Sequence, residues 1–378
     1  MNSQKIYVTR PLLPNFEDMV AALRKIYDSQ WLTNMGEWHN ALEIRLRQVL
    51  KTQNVSLFNN GTIALVTAIR ALELPEGSEV ITTPFTFAAT PHSIAWNGLK
   101  PVFCDIEPET MTIDPDRIEE LITPNTSAIL GVHVYGFPCQ VDRIQEIADR
   151  HGLKVVYDAA HAFGTEINGT GIGNYGDITM FSFHATKLFN TIEGGCLAYT
   201  DNALSKKIYN LRNFGIKNEE VVEAVGINGK MNEIQAAWGL LNIDKFQKER
   251  DRRMEIRARY RELLSGVEGI YVPIMPDGVT DSCQYFPIVV EDAYGESRDE
   301  LFERFRENSI IVRKYFHPAC TDYECYRNDL AVKLSNLPVV NDIKRRVLCL
   351  PFYGDLKETD IERIARIIRE HTVYGRRS

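Results

Sequence analysis

Along the first two thirds of the chain, short apolar runs recur at 55–58, 79–82, 101–105, 127–135, 153–157, 177–183 and 195–200. Most gaps between them place apolar residues three and four positions apart, at 63–72, 88–96, 115–121 and 141–151. Short apolar runs bounded by turn residues read as strands, and the 3.6-residue period between them reads as helix. Strands that alternate with helices and lack a polar face predict an α/β sheet covered on both sides. The texture changes near residue 232. Residues 232–264 predict one or two long helices with mixed charges on an exposed face. A β segment at 284–290, a helix near 298–308 and a terminal helix near 358–371 follow. The expected organisation is a large domain over 1–245 and a smaller α+β domain over 246–378.

Composition narrows the classes. Of 378 residues, 44% are hydrophobic and 25% charged, as in ordinary globular proteins. Lys plus Arg total 43 against 51 Asp plus Glu, a net charge of −8 that opposes non-specific binding to nucleic acid or an anionic membrane. The longest apolar stretch, 128–135, falls far short of the roughly 20 residues of a membrane-spanning helix. The N-terminal residues lack the apolar stretch of a secretion signal. Seven cysteines without a CxxC pair then read as free thiols in a reducing cytoplasm. No two histidines fall at i,i+4 or beside cysteines, so no metal site is expected.

Three strand ends carry candidate chemistry. The run at 177–183 leads into Ser182-Phe183-His184-Ala185-Thr186-Lys187, followed by Glu193-Gly194-Gly195. A lysine just past a strand is partly sheltered, which lowers its pKa and makes it a usable nucleophile. The alternative is a surface lysine in a turn. Asp158 ends the run at 153–157, and open α/β sheets gather ligands at the carboxyl ends of strands. An acid there, near His161, suits a ligand cation; the alternative is a structural acid or a helix cap. His161 and His184 can equally be satisfied core histidines. At 58–65 a strand passes through Asn59-Asn60-Gly61-Thr62 into a helix. Free N–H groups at that helix start and the Thr62 hydroxyl make an anion site, with an ordinary capped turn as the alternative. Gly171, Gly173 and Gly176 fit G-x-G-x-x-G, but they precede a strand and open no helix, so they read as a hairpin or loop.

One ligand satisfies all three ends. It needs a phosphate for Gly61 and Thr62, a cationic ring nitrogen for Asp158 and a carbonyl for Lys187. Pyridoxal 5′-phosphate has all three. Phe87, just past the run at 79–82, can stack on its ring or simply pack in the core.

The blocks PFTFAAT, DAAHAFG, SFHATK followed by EGG, and GINGKMNEIQAA resemble the signature segments of the DegT/DnrJ/EryC1/StrS sugar aminotransferases. WLTNMGEWHNALE, VHVYGFPCQVD and CLPFYGDLKETDIERI extend the resemblance over nearly the whole chain. It implies the fold-type I architecture of pyridoxal-phosphate enzymes: α/β, with a mixed, mostly parallel seven-stranded sheet between helices and a smaller C-terminal domain. It implies that Lys187 joins the cofactor covalently and moves the proton, while Asp158 keeps the ring nitrogen protonated. Phe87 would stack on the ring, and Gly61, Thr62 and Ser182 would bind the phosphate. His161 stands where relatives often have Gln, on the side of the cofactor's 3-hydroxyl. Asn228 matches an Asn that relatives lend to the phosphate across a homodimer interface. The aromatic flanks of that Asn are replaced here by Ile227 and Gly229, and a nearby Arg by Lys230. Relatives that catalyse dehydration have His at the position of Lys187, so transamination is favoured.

The implied reaction is a ping-pong exchange from L-glutamate to a nucleotide-linked 4-keto-6-deoxysugar. The branch most resembled uses dTDP-4-keto-6-deoxyglucose, for surface polysaccharide such as O-antigen. Amination at C3 by a relative of the same family, or a non-catalytic binding protein on the same fold, are the alternatives. Lys230, Lys217 and Arg212 are candidate cations for the nucleotide diphosphate. Tyr315 and His317 match a segment that lines the sugar site.

Overall fold

The computed structural model describes residues 5–329 and 335–374, with side chains of the last helix described to residue 370. At its centre lie β1 Asn54–Phe58, β2 Glu79–Thr82, β3 Lys100–Phe103, β4 Thr126–Val132, β5 Lys154–Asp158, β6 Ile178–Ser182 and β7 Gly195–Tyr199. They form one seven-stranded sheet in the order β1-β7-β6-β5-β4-β2-β3. From β6 to β3 every pairing is parallel, and β7 alone runs antiparallel to both its neighbours. The mostly parallel seven-stranded α/β sheet is therefore present. Along β4 and β5, Ile129 and Val155 enter one buried cluster while Leu130 and Val156 enter another. Each strand feeds two cores, which is why its sequence shows no polar alternation.

Helices Gly61–Ala71, Ala89–Trp96 and Val141–His151 fill the expected gaps. The segment at 115–121 is shorter, an α turn Pro115–Ile118 followed by a 3-10 turn Glu119–Leu121. The apolar run at 127–135 stops being strand at Val132, because the chain turns through Tyr135 at φ +56° and Gly136 at φ +97°. The glycine-rich stretch is a loop: Thr170–Gly171 pairs with Glu166–Ile167, and a 3-10 turn Ile172–Asn174 then leads to β6. Helices Phe16–Ser29, Glu37–Leu50, Ala203–Arg212 and Pro338–Arg346 add to the expected elements.

Residues 232–264 form a single helix, Glu233–Leu264, of 32 residues. Asn232 starts it with a capping box: its side chain accepts from the Gln235 N–H, and the Gln235 side chain accepts from the Asn232 N–H. Near its start Ala237 packs with Met19, Ala22 and Ile26. Farther along, Ile256 and Tyr260 share a core with Phe286 and Ile361. Residue 245 thus falls inside a continuous helix that serves both halves of the chain. Beyond it, Ile270–Tyr271, Phe286–Val290 and Val347–Leu350 make a small antiparallel sheet, flanked by helices that include Arg298–Glu307 and Glu358–Tyr374. Among the described residues no helix is long and apolar enough to cross a membrane.

Arg212 does not serve a ligand. It is buried, and its guanidinium donates to Glu43 Oε1 at 3.1 Å and to the Leu57 carbonyl at 2.8 Å. Glu43 in turn accepts from the Leu57 N–H at 3.2 Å and lies 3.3 Å from His39 Nε2. Burial pushes the Glu43 carboxyl up, but His39, Arg212 and the Leu57 N–H outweigh it and hold it at about 2. The pair fastens helices Glu37–Leu50 and Ala203–Arg212 to β1, and its charge is cancelled inside the protein. Removing one partner leaves the other buried and unpaired, so Arg212→Ala is expected to lower the unfolding free energy by about 3–5 kcal/mol in urea denaturation. The Glu43 carboxyl is depressed in the fold, so its contribution is present above its ordinary value of 4.5 and disappears as pH falls toward 2. The gap between wild type and variant should close over that window. A loss below about 1 kcal/mol at neutral pH would mean that the pair behaves like a surface one.

Candidate active site

A cavity of about 280 Å³ opens at the carboxyl ends of β5 and β6. Gly61, Thr62, Phe87, Asp158, His161, Ser182, Lys187 and Tyr315 all line it. The parallel sheet brings those from Gly61 to Lys187 together by placing its strand ends on one side, and the C-terminal part of the chain adds Tyr315.

The anion end is built by close approach. Asn60 caps helix Gly61–Ala71, its side chain accepting from the Ile63 N–H at 2.8 Å. The N–H groups of Gly61 and Thr62 have no acceptor within the helix. Ser182, the last residue of β6, stands against them. A Cβ on Gly61 would come within 2.9 Å of Ser182 Cβ, and one on Gly195 within 2.8 Å of Gly61 Cα. Glycine at these two positions lets the helix start, β6 and β7 meet, so the helix's N–H groups and the Ser182 hydroxyl converge.

Asp158 ends β5 and is 5% exposed. One carboxylate oxygen accepts from the Ala160 N–H at 3.0 Å and the other from the Thr90 hydroxyl at 2.8 Å. Burial pushes its carboxyl up, opposed by those two hydrogen bonds and by the charge of Lys187. Lys187 follows a turn in which its N–H donates to the His184 carbonyl at 2.8 Å. Desolvation in the cavity brings its ammonium down to about 8, against the pull of Asp158. Its Nζ lies 5.7 Å from the centre of the Tyr285 ring.

His161 is buried, and its Nδ1 accepts from the Tyr135 N–H at 3.2 Å, which leaves the ring proton on Nε2. Burial and the Lys187 charge hold it neutral, far below the usual imidazole range. Its ring lies parallel to those of Tyr135 and Phe316, with centroids at 6.4 and 5.8 Å, and edge-on to Tyr285 at 4.9 Å. The Tyr135 hydroxyl donates to the Tyr315 carbonyl and so ties this group to the Tyr315 wall. His184 is exposed at the mouth, its Nδ1 2.8 Å from the Thr186 hydroxyl and its Nε2 3.6 Å from Glu193.

Other expected residues lie elsewhere. His317 is exposed and does not line the cavity, because the chain turns there with the His317 N–H donating to the Lys314 carbonyl. Asn228 is exposed, and its carbonyl accepts from the Asn59 side chain at 3.3 Å. Lys230 donates to Asn213 Oδ1 at 2.7 Å and sits over the Phe214 ring. Neither Asn228 nor Lys230 lines the cavity of its own chain. Lys217 is paired with Glu223 at 2.7 Å. Phe316, in the segment of Tyr315 and His317, lines the cavity; so do Thr86 and Tyr285, which were not expected there, and Thr90 holds Asp158 from behind. The four-residue spacing of Thr86 and Thr90 is visible in PFTFAAT; nothing local marks Tyr285.

Residues 15–369 match the family described as DegT/DnrJ/EryC1/StrS aminotransferases. Over 373 residues the chain is 44% identical to the dTDP-4-amino-4,6-dideoxy-D-glucose transaminase of Escherichia coli, covering 97% of this chain and 99% of the relative. It is 31% identical over 363 residues to the UDP-N-acetyl-3-dehydro-alpha-D-glucosamine 3-aminotransferase of Acidithiobacillus ferrooxidans, covering 96% and 95%. The crystal structure of DesI in the presence of its TDP-sugar product superposes with a TM-score of 0.92 at 36% identity, covering 99% of this chain and 96% of DesI. The matched region takes in the sheet, every lining residue of the cavity and the small C-terminal sheet. The chain belongs to the DegT/DnrJ/EryC1/StrS family of sugar aminotransferases.

Proposed function

We propose that this aminotransferase moves the amino group of L-glutamate to C4 of dTDP-4-keto-6-deoxyglucose, giving dTDP-4-amino-4,6-dideoxyglucose, with pyridoxal 5′-phosphate as its cofactor. The observation that carries the chemistry is the meeting of a half-buried Lys187 and a buried Asp158 in one cavity beside a helix N-terminus. That donor set fits the cofactor: N–H groups and a hydroxyl for its phosphate, a buried carboxylate for its ring nitrogen, and an amine that ionises near neutrality for its aldehyde. The choice of sugar rests on 44% identity to the relative named for that product, against 31% to the 3-aminotransferase.

When bound, the cofactor supplies an electron sink for exchange at a carbon–nitrogen bond. The chain's own residues do the rest. Gly61, Thr62 and Ser182 orient the phosphate. Asp158 would hold a proton on the ring nitrogen, and the His161 Nε2–H would face the side of the ring's hydroxyl. Phe87, 63% exposed at the mouth, covers a face of the ring. Lys187 anchors the aldehyde and, as an amine with a pKa of about 8, carries the proton to and from the reacting carbon. Tyr315 walls the sugar side. On this reading residues 1–245 hold the cofactor and residues 246–378 close the acceptor side. Asn228 and Lys230 serve the neighbouring copy's cavity in a homodimer. The reaction takes place in the cytoplasm and feeds surface polysaccharide such as O-antigen.

Three experiments test this reading. Capture of pyridoxal 5′-phosphate by cofactor-free protein, trapped with borohydride, should rise as pH passes through about 8, because the neutral amine is the reactive form. A midpoint above about 10, that of an ordinary lysine, would contradict the site assignment, and Lys187→Ala should trap none. Incubation with L-glutamate and dTDP-4-keto-6-deoxyglucose should yield one equivalent of 2-oxoglutarate and a product whose NMR spectrum places the amine at C4. An amine found only at C3, from the 3-keto isomer, would overturn the choice of sugar. Inactive Lys187→Ala and Asn228→Ala proteins, refolded together in equal amounts, should recover roughly a quarter of wild-type activity, since half the dimers then carry one intact site. No recovery would place Asn228 in its own chain's site.

A further inference from the structure

Asp158 is held by more than backbone. The Thr90 hydroxyl lies 2.8 Å from its Oδ2 and 2.9 Å from the Thr86 hydroxyl. An ionised carboxylate only accepts, so the Thr90 proton points at Asp158 and the Thr86 proton points at Thr90. The donor order is fixed as Thr86, Thr90, Asp158. Both threonines are buried, which keeps water from taking their place. Thr90 sits in the first turn of helix Ala89–Trp96, with its N–H donating to the Phe87 carbonyl at 3.1 Å and its carbonyl accepting from Ser93 Oγ at 2.7 Å. A helical threonine commonly turns its hydroxyl back to the carbonyl four residues earlier. Here that carbonyl, of Thr86, accepts from the Cys320 thiol at 3.4 Å, and the Cys320 N–H donates to the Pro84 carbonyl at 2.9 Å. The loop that carries Thr86 and Phe87 is thereby fastened from the far side, and the Thr90 proton is directed at the carboxylate.

Building on the cofactor reading above, we propose that Thr90, backed by Thr86, is a positioning residue that keeps the Asp158 carboxylate ionised and aims its remaining lone pairs at a cationic ring nitrogen. Lys187 is the charge that bears on Asp158; His161 beside it and His133, whose N–H donates to the Asp158 carbonyl, are both neutral. Burial works against the ionised form, so each hydrogen bond to it has weight.

Pyridoxamine 5′-phosphate is the probe. It has no aldehyde and reads the ring contacts without the Lys187 bond. Its affinity would be measured from pH 5.5 to 8.5 for wild type, Thr90→Val, Thr90→Ser, Asp158→Asn and the Thr90→Val/Asp158→Asn double variant. Thr90→Val should bind about 10- to 100-fold more weakly, the effect of losing a hydrogen bond to a charged group. Its affinity should also begin to fall at a higher pH on the acid side, because the carboxyl takes a proton more readily. Thr90→Ser should restore both, and Thr90→Val should add nothing on top of Asp158→Asn. Wild-type protein that does not bind the probe would defeat the cofactor reading itself. If wild type binds, unchanged affinity in Thr90→Val, or an equal further loss in the double variant, would overturn this proposal alone. Should Thr90→Val fail to fold, Thr86→Val reads the relay one step further out. It should show the same acid-side shift with a smaller loss of about threefold, and no shift would overturn the proposal.

Discussion

The cavity depends on two opposite charges taken largely out of water together, the Lys187 ammonium and the Asp158 carboxylate. Either alone would be driven toward its neutral form by desolvation. Together each restores part of the other's charge, and burial still brings the lysine down to about 8 while it pushes the carboxyl up. The outcome is an amine that exchanges protons near neutrality beside an acid poised to accept a cation. The sheet makes the pairing possible. β5 and β6 are adjacent and parallel, with Asp158 opposite Met180, so the chain leaving Ser182 runs directly past Asp158 before it reaches Lys187. The antiparallel β7 then returns from Gly195, hard against Gly61, and closes the anion end. One strand reversal thus joins the lysine to the phosphate-type pocket.

The strands were legible because packing on both faces writes itself as unbroken apolar sequence, and strand ends in such a sheet are where chemistry collects. That placed Gly61, Thr62, Asp158, Ser182 and Lys187. In the N-terminal helices the apolar period and the helix start are separate signals, and only the first is local. Helix Phe16–Ser29 carries a regular apolar stripe at positions 16, 19, 20, 23, 26 and 27, so its period is legible in the sequence; Met19 and Ile26 are buried with Ala22, while Phe16, Val20, Leu23 and Tyr27 stay exposed. Helix Glu37–Leu50 has no capping side chain of its own. Its first N–H groups, from Gly36, Trp38 and His39, are capped by the buried Glu233 carboxylate nearly 200 residues away. No local motif can announce a cap supplied by tertiary structure. The same holds for Tyr285, an ordinary aromatic in sequence that becomes a cavity wall only when the small sheet it precedes docks.

Charge is the property that sequence conveys least well, because a residue's sign says nothing about what cancels it. Arg212, Lys217 and Lys230 looked equivalent as cations for a nucleotide diphosphate. In the fold Arg212 is neutralised by Glu43 and Lys217 shares Glu223 with Lys206, whereas Lys230 rests on a neutral amide and an aromatic face. Among the described residues, Lys187 is the only lysine or arginine that lines the cavity, and Asp158 and Glu193 share the wall with it. Helix dipoles and hydroxyls can hold one phosphate there. A diphosphate brings further negative charge, which this wall, in a chain of net charge −8, does not offset. Positive charge for it must come from beyond the wall. Lys230 stands outside its own chain's cavity, so it could reach a substrate only in the homodimer proposed above. In the proposed homodimer, that added charge would be the second copy's contribution to the site.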